Sequence, residues 1–314
     1  MKHRASVVCI LACVLCCMLG LMGCSSQTEE YSLDLGSATV SSPTIGEDGV
    51  LCVGIMGEDS APFTMTSNGE VTGLDVDIAA ALADQMGLSL EIVDVESESD
   101  GETALTNGEI DILMSVPSDS SSSIWLSDPY IETAIALFGD ADAEIPTRDS
   151  SPVIAAQGSS TSAWAVTTAF GDDSLLSSSD LMSAFSSAEE GEASYVAADA
   201  VIGTYAAFYQ SVDMVPIALL EDIGGYCIGV ASDNTDLQEA VTSALTEVID
   251  GGIADVISNK WLGTTLDLSS LSVIDSSSSS SDATTDTTSD DDTTDDESSA
   301  GSNAVVLDET EAAA

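Results

Sequence analysis

Asp199 closes the short run "YVAADA" and stands as a lone carboxylate at the end of an apolar stretch. Two kinds of chemistry suit it. It could cap the helix that "AVIGTYAAFYQ" predicts, since Asp is a favoured N-cap. It could equally present charge at the carboxyl end of a strand, where ligands of open parallel sheets bind. Other polar residues sit at comparable points. Glu58, Asp59 and Ser60 follow "LCVGIM", Ser115 follows "DILM", and Ser159, Ser160 and Thr161 follow "PVIAAQG". The last three begin a predicted helix after a glycine, a place where backbone N–H groups and the positive end of the helix dipole accept anions. Plain N-capping by serine reads these residues equally well.

Acid–base catalysis is poorly supplied. The one histidine, His3, lies in the leader, so a reaction in the cleft would rest on Glu58, Asp59 or Asp199 with a shifted pKa. No cluster of cysteines and histidines has metal-ligand spacing, and no metal or cofactor is expected.

Two halves must position these residues. Between 50 and 116, "LCVGIM", "LDVDIAAALADQMG", "LSLEIVDV" and "EIDILMSV" alternate strand and helix signals. Leu74, Ile78, Leu82 and Met86 share one helical face, Asp75 and Asp77 suit the N-terminal dipole, and Gly87 supplies the stop. The same grammar returns from 152 to 220, and "TDLQEAVTSALTEVIDGG" places Leu237, Val241, Leu245 and Val248 on one face. Strand and helix in alternation predict an α/β fold with mostly parallel sheets flanked by helices.

The ends of the chain differ in kind. "MKHRASVVCILACVLCCMLGLMGC" has basic residues before an apolar run too short for a span of roughly 20 residues, and reads as an export signal. The polar stretch 25–45 predicts a flexible tether, and the Ser, Thr and Asp of 269–314 predict a disordered acidic tail. Of 7 cysteines only Cys52 and Cys227 fall beyond residue 24, each in a strand-like run and each expected as a small core residue. The formal net charge is −51, and past the leader only Arg148 and Lys260 oppose the acids. Such a chain repels nucleic acid.

Several stretches together resemble the extracellular solute-binding proteins of ABC importers, in the family 3 group that binds polar amino acids. "LCVGIMGEDSAPFTM" is similar to its opening strand and Pro-Phe turn, and "GEVTGLDVDIAAALADQMGL" to its Gly-hydrophobic-Asp-Val-Asp helix. "LTNGEIDILMS" and "LSDPYIETAIALF" match its Asp-containing strand and Ser-Asp-Pro-Tyr crossover. "AAQGSSTSAW", "YVAADA", "GGYCIGVA" and "DGGIADVISNKWLG" follow in order, over about 46 to 265. "LMGC" resembles a lipobox, which implies lipid on Cys24.

The resemblance implies a two-lobed periplasmic-binding-protein-like fold of type II with two crossover segments. Lobe 1 would comprise 46–135 and 222–268, and lobe 2 would comprise 136–221. Cys52 and Cys227 would then lie in lobe 1 on strands that are not neighbours. The expected ligand is a small polar amino acid or amine-bearing solute, the partners a membrane permease and the membrane through the lipid, and the receptor a monomer. Asp199 would receive the ligand's ammonium and the Ser159 to Thr161 corner its carboxylate, with Glu58, Asp59, Ser60 and Ser115 lining the cleft. Two departures bear on this. "SVPSDSSSSIW" lacks the arginine that clamps the ligand carboxylate in relatives, and Ser60 and Ser99 stand near usual aromatic positions, leaving Trp125 or Tyr130 as substitutes. An acidic, hydroxyl-rich cleft favours a cationic solute by its field. The rival readings are a surface scaffold with a decayed pocket and a dehydratase-like enzyme on the same fold.

Overall fold

A computed structural model describes residues 36–57, 59–67, 69–121 and 123–274. The chain opens with β1 (Val50–Met56), the short strands β2 (Asp59–Ser60), β3 (Thr64–Ser67) and β4 (Glu70–Thr72), and helix α1 (Leu74–Met86). β5 (Ser89–Val95), α2 (Glu98–Asn107), β6 (Ile112–Pro117), β7 (Trp125–Leu126) and β8 (Ile131–Thr133) follow. The faces read from periodicity hold. Leu74, Ile78, Leu82 and Met86 are all buried, and Gly87 ends α1 in the left-handed conformation.

β1 pairs in parallel with β5 and β6 in a six-stranded sheet that a later strand, β14 (Gly224–Val230), completes in the order β5-β1-β6-β14-β7, with β8 also on β14. The second sheet is five-stranded, in the order β11-β10-β12-β9-β13. Its strands are β9 (Ile135–Gly139), β10 (Ile154–Gln157), β11 (Leu175–Ser178), β12 (Tyr195–Asp199) and β13 (Val215–Leu219). Helices α3 (Thr161–Phe170), α4 (Leu181–Glu189) and α5 (Ala200–Gln210) flank it. β14 (Gly224–Val230) then returns to the first sheet, and α6 (Thr235–Asp250) and α7 (Ile253–Leu262) complete it, with Leu237, Val241, Leu245 and Val248 buried. The parallel strands expected are present, but β14 runs antiparallel to β6, and β9 antiparallel to β12 and β13. A chain that arrives from the other sheet enters from the opposite end, which sets that direction.

The crossings bind one another. The chain leaves the first sheet after Thr133 and enters the second at Ile135, then returns between Leu219 and Gly224. The Leu220 N–H donates to the Ile135 carbonyl at 2.7 Å, and the Ile135 N–H donates to Glu221 Oε1 at 2.7 Å. Among the described residues, Cys52 and Cys227 are free thiols, on β1 and β14 with β6 between them. Burial is the main cause that pushes both thiols up to about 11.

Two boundaries differ from expectation. The tether expected over 25–45 ends sooner: the Thr39 N–H donates to the Met86 carbonyl, Ile45 is buried in the first core, and Asn234 Nδ2 donates to the Thr44 carbonyl at 2.8 Å. Residues 269–274, within the stretch expected as tail, are seated on the second sheet. Leu271 and Ile274 pack on the second sheet's cores, and residues 272–274 exchange backbone hydrogen bonds with Leu219. In both places a few apolar residues inside a polar run find a groove, a short-range event that average composition hides.

Asp75 departs further. The sequence suggests a partner for the helix dipole, but its carboxylate is 1% exposed and turned inward. Ser115 Oγ donates to Asp75 Oδ2 and the Tyr130 hydroxyl donates to Oδ1, both at 2.6 Å. Burial raises its pKa from 3.8 to about 6, against the two hydroxyl donors that lower it. Because the folded value lies above the unfolded one, the folded chain holds this proton more tightly. Asp75's contribution to stability is therefore greatest below pH 3.8 and is lost as pH rises to about 6. We expect urea unfolding from pH 4 to pH 7 to show wild type losing on the order of 3 kcal/mol more than Asp75→Asn. Parallel pH profiles would remove this role from Asp75. A chain ending at Leu268 should be less stable by roughly 2–4 kcal/mol than one ending at Asp275, measured by urea midpoint, because Leu271, Ile274 and their hydrogen bonds are gone.

Candidate functional site

Asp199 is the last residue of β12 and the N-cap of α5, so both geometric readings of its position hold at once. Oδ1 accepts the Ile202 N–H at 2.9 Å. Oδ2 accepts the Thr133 hydroxyl at 2.8 Å and the Tyr226 hydroxyl at 3.2 Å. Thr133 ends β8 and Tyr226 lies in β14, both strands of the first sheet. The carboxylate of the second sheet is thus held by hydroxyls of the first. Burial raises its pKa, and the donors from Ile202, Thr133 and Tyr226 oppose that rise. The Tyr226 hydroxyl is raised too, by burial first and then by the charge of Asp199.

Apolar groups close around this contact. The Phe63 and Tyr226 rings lie 4.5 Å apart between centroids, tilted by 59°. Val201, fully buried, joins the first sheet's core, and Ile202 and Tyr205 of the same helix pack against it. Tyr205 OH donates to Met65 Sδ at 3.5 Å, a second link between the halves.

The local field is negative. Glu221, on the returning crossover, has its pKa raised by burial first and also by the charges of Asp199, Asp119 and Asp222, against the Ile135 N–H. The described cations lie elsewhere. Lys260 of α7 pairs with Asp77 of α1, whose Oδ2 also accepts the Trp261 indole N–H at 2.7 Å. Arg148 sits in a 3-10 turn, Arg148–Ser150. Lys260 is thus a surface residue that also serves as an ion-pair partner, and Arg148 lies away from Asp199 in its own turn.

The other candidates divide. Ser115 is buried in the left-handed conformation, φ 58, and donates to Asp75; its hydrogen bonds run to Asp75 and Tyr130 and not to Asp199. Tyr130 likewise spends its hydroxyl on Asp75, and Trp125 packs against the first core. Ser160 caps α3, accepting from the Ala163 N–H at 3.1 Å and donating to the Gln157 carbonyl at 2.7 Å. Ser159, φ 61, and Thr161 are exposed beside it. Ser60 is exposed in β2, where Asp59 pairs its backbone with Met65. Glu58 and the proposed lipid site Cys24 lie outside the described residues.

Sequence reasoning missed Thr133, Tyr226 and Glu221. Tyr226 was readable only as a strand residue in "GGYCIGVA", and its one signal is position: it follows the second crossing, where side chains can reach both sheets.

Residues 52–264 match the family model for bacterial extracellular solute-binding proteins, family 3. Among similar solved structures is the L-cystine solute receptor of Neisseria gonorrhoeae in its unliganded open conformation, at 20% identity and TM-score 0.61, covering 69% of this chain and 94% of that one. An ancestral cationic amino acid solute binding protein shares 23% identity at TM-score 0.58, over 68% and 96% of the two chains. A polar amino acid ABC uptake transporter substrate binding protein from Streptococcus thermophilus shares 19% at TM-score 0.59, over 69% and 87%. At these identities the likeness is one of two-lobed fold. No curated protein sequence matches the chain. No described helix is long and apolar enough to cross a membrane. The family match spans the strands, the crossings and Asp199 together, and on it this chain belongs to the bacterial extracellular solute-binding proteins, family 3.

Proposed function

We propose that this protein is a receptor outside the cytoplasm, held to the membrane by lipid on Cys24, that captures a small polar amino acid or amine-bearing solute for an ABC permease. The lobes would be 46–135 with 222–268, and 136–221, shutting on the solute between their sheets. One observation carries the reading: the Asp199 carboxylate, at the tip of β12, meets Tyr226 and Thr133 of the opposite sheet. An ammonium entering that contact would take over acceptor sites now used by two hydroxyls, which are free to rotate and accept in turn. A charge-assisted bond there contributes about 1.5–3 kcal/mol.

The charges around it favour the amine end of a solute. Glu221, Asp222 and Asp119 all act on the same small region, and the described cations are engaged or placed elsewhere. A ligand carboxylate would rely on the start of α3, where Ser160 and Thr161 stand.

One observation favours a second reading. Both Asp199 oxygens already have protein partners, as they would if the carboxylate served only to tie the halves together and the pocket no longer bound solute.

Thermal unfolding against amino acids, amines and short peptides separates the two. A receptor melts higher with one ligand class. Calorimetry on Asp199→Asn should then show binding weakened about 10- to 100-fold, with the circular dichroism of the unliganded fold retained. A chain that responds to no ligand, and whose Asp199→Asn variant only melts lower, is the tie alone. Tightest binding to an acidic amino acid such as glutamate would contradict the amine preference.

A further inference from the structure

A second cavity, of about 340 Å³, lies between the start of α1, the segment entering β8, and helices α6 and α7. That volume is at the small end of small-molecule sites. Leu74, Ile78, Ile257 and Leu266 supply apolar wall, while the exposed acids Glu132 and Asp255 are its ionisable carboxylates, and no lysine or arginine lines it. Ile249, another lining residue, remains 42% exposed, and Val256 next to Asp255 is 69% exposed. Leu74, Ile78 and Ile257 are the edge of the first core, and Ile249 carries the apolar lining out to the surface. Thr133, one residue beyond Glu132, donates to Asp199, so the two sites share β8 through different side chains.

We infer that this cavity binds a small amphipathic cation: an ammonium group on a short aliphatic chain, with the chain on the apolar wall and the charge at Glu132 and Asp255. The charge of the occupant follows from the lining. An anion would meet two carboxylates on a chain of formal net charge −51, and a neutral molecule would gain nothing from them. The apolar body follows from the isoleucine and leucine walls, and the volume holds a short aliphatic chain with its ammonium.

Four isoleucines, Ile78, Ile131, Ile249 and Ile257, line the cavity and report on it directly. The full chain, labelled at isoleucine δ1 methyls, is titrated with n-hexylamine, n-hexanol and hexanoate. The expected result is saturable shifts of these four methyls with hexylamine, weaker binding of hexanol, and none of hexanoate. Glu132→Gln with Asp255→Asn, at exposed positions that leave the fold intact, should weaken hexylamine about 5-fold and leave hexanol unchanged. Asp199→Asn should leave the hexylamine shifts as they are. Absence of saturable shifts, equal affinity for hexanol and hexylamine, or loss of the shifts in Asp199→Asn would each overturn the proposal.

Discussion

Carboxylates that must be buried without cations set the terms for this molecule. With Arg148 and Lys260 the cations among its described residues, the chain satisfies its interior acids with hydroxyls and backbone N–H groups. Asp75 takes Ser115 and Tyr130, and Asp199 takes Thr133, Tyr226 and the Ile202 N–H; at the surface, Glu221 takes the Ile135 N–H in the same way. Asp111 follows the rule within the first sheet, accepting the Gly46 and Cys52 N–H groups, each at 2.8 Å. A buried charge with no partner costs several kcal/mol, and each neutral donor to a charged group returns about 1.5–3 kcal/mol. The return is incomplete, so burial raises the pKa of Asp75 and of Asp199, while partial burial and the neighbouring charges of Asp199, Asp119 and Asp222 together raise that of the exposed Glu221.

The same constraint shapes the join between the sheets. Where opposite charges might have met, hydroxyl and amide donors from one half reach acids of the other, and the first turn of α5 adds Val201 and Ile202 to the first core. Within the first sheet, Ser118 closes the end of the β6–β14 pair, its backbone N–H donating to the Gly225 carbonyl and its hydroxyl accepting from the Gly225 N–H. Neutral donors are short in reach and strict in direction. Contacts built from them specify one arrangement of the halves more narrowly than long, flexible ion pairs do.

Much of the fold was legible because it is periodic and local. The α1 face at Leu74, Ile78, Leu82 and Met86, the α6 face at Leu237 through Val248, and the strand tip at Asp199 all announce themselves within a dozen residues. What escaped depends on partners far away in the chain. Tyr226 meets Asp199 across 27 residues, Thr133 meets it across 66, and Lys260 meets Asp77 across 183. Asp75 and Asp77 look alike at the start of a helix, and only the third dimension turns one inward to Ser115 and the other outward to Lys260 and Trp261. The site shows the same divide: a strand end predicts where a carboxylate stands, and nothing nearby in sequence predicts which groups hold it.

The two ends of the described chain are fastened to different halves. Residues 39–45 lie on the first sheet's helices through Met86 and Asn234, whereas residues 272–274 run beside Leu219 on the second sheet. The chain therefore crosses a third time, between Leu262 of the first core and Leu268 of the second, and tension drawn between those ends is shared by three crossing segments. Parting the halves along that line loads all three connections at once, and the two that bind each other through Ile135, Leu220 and Glu221 share that load.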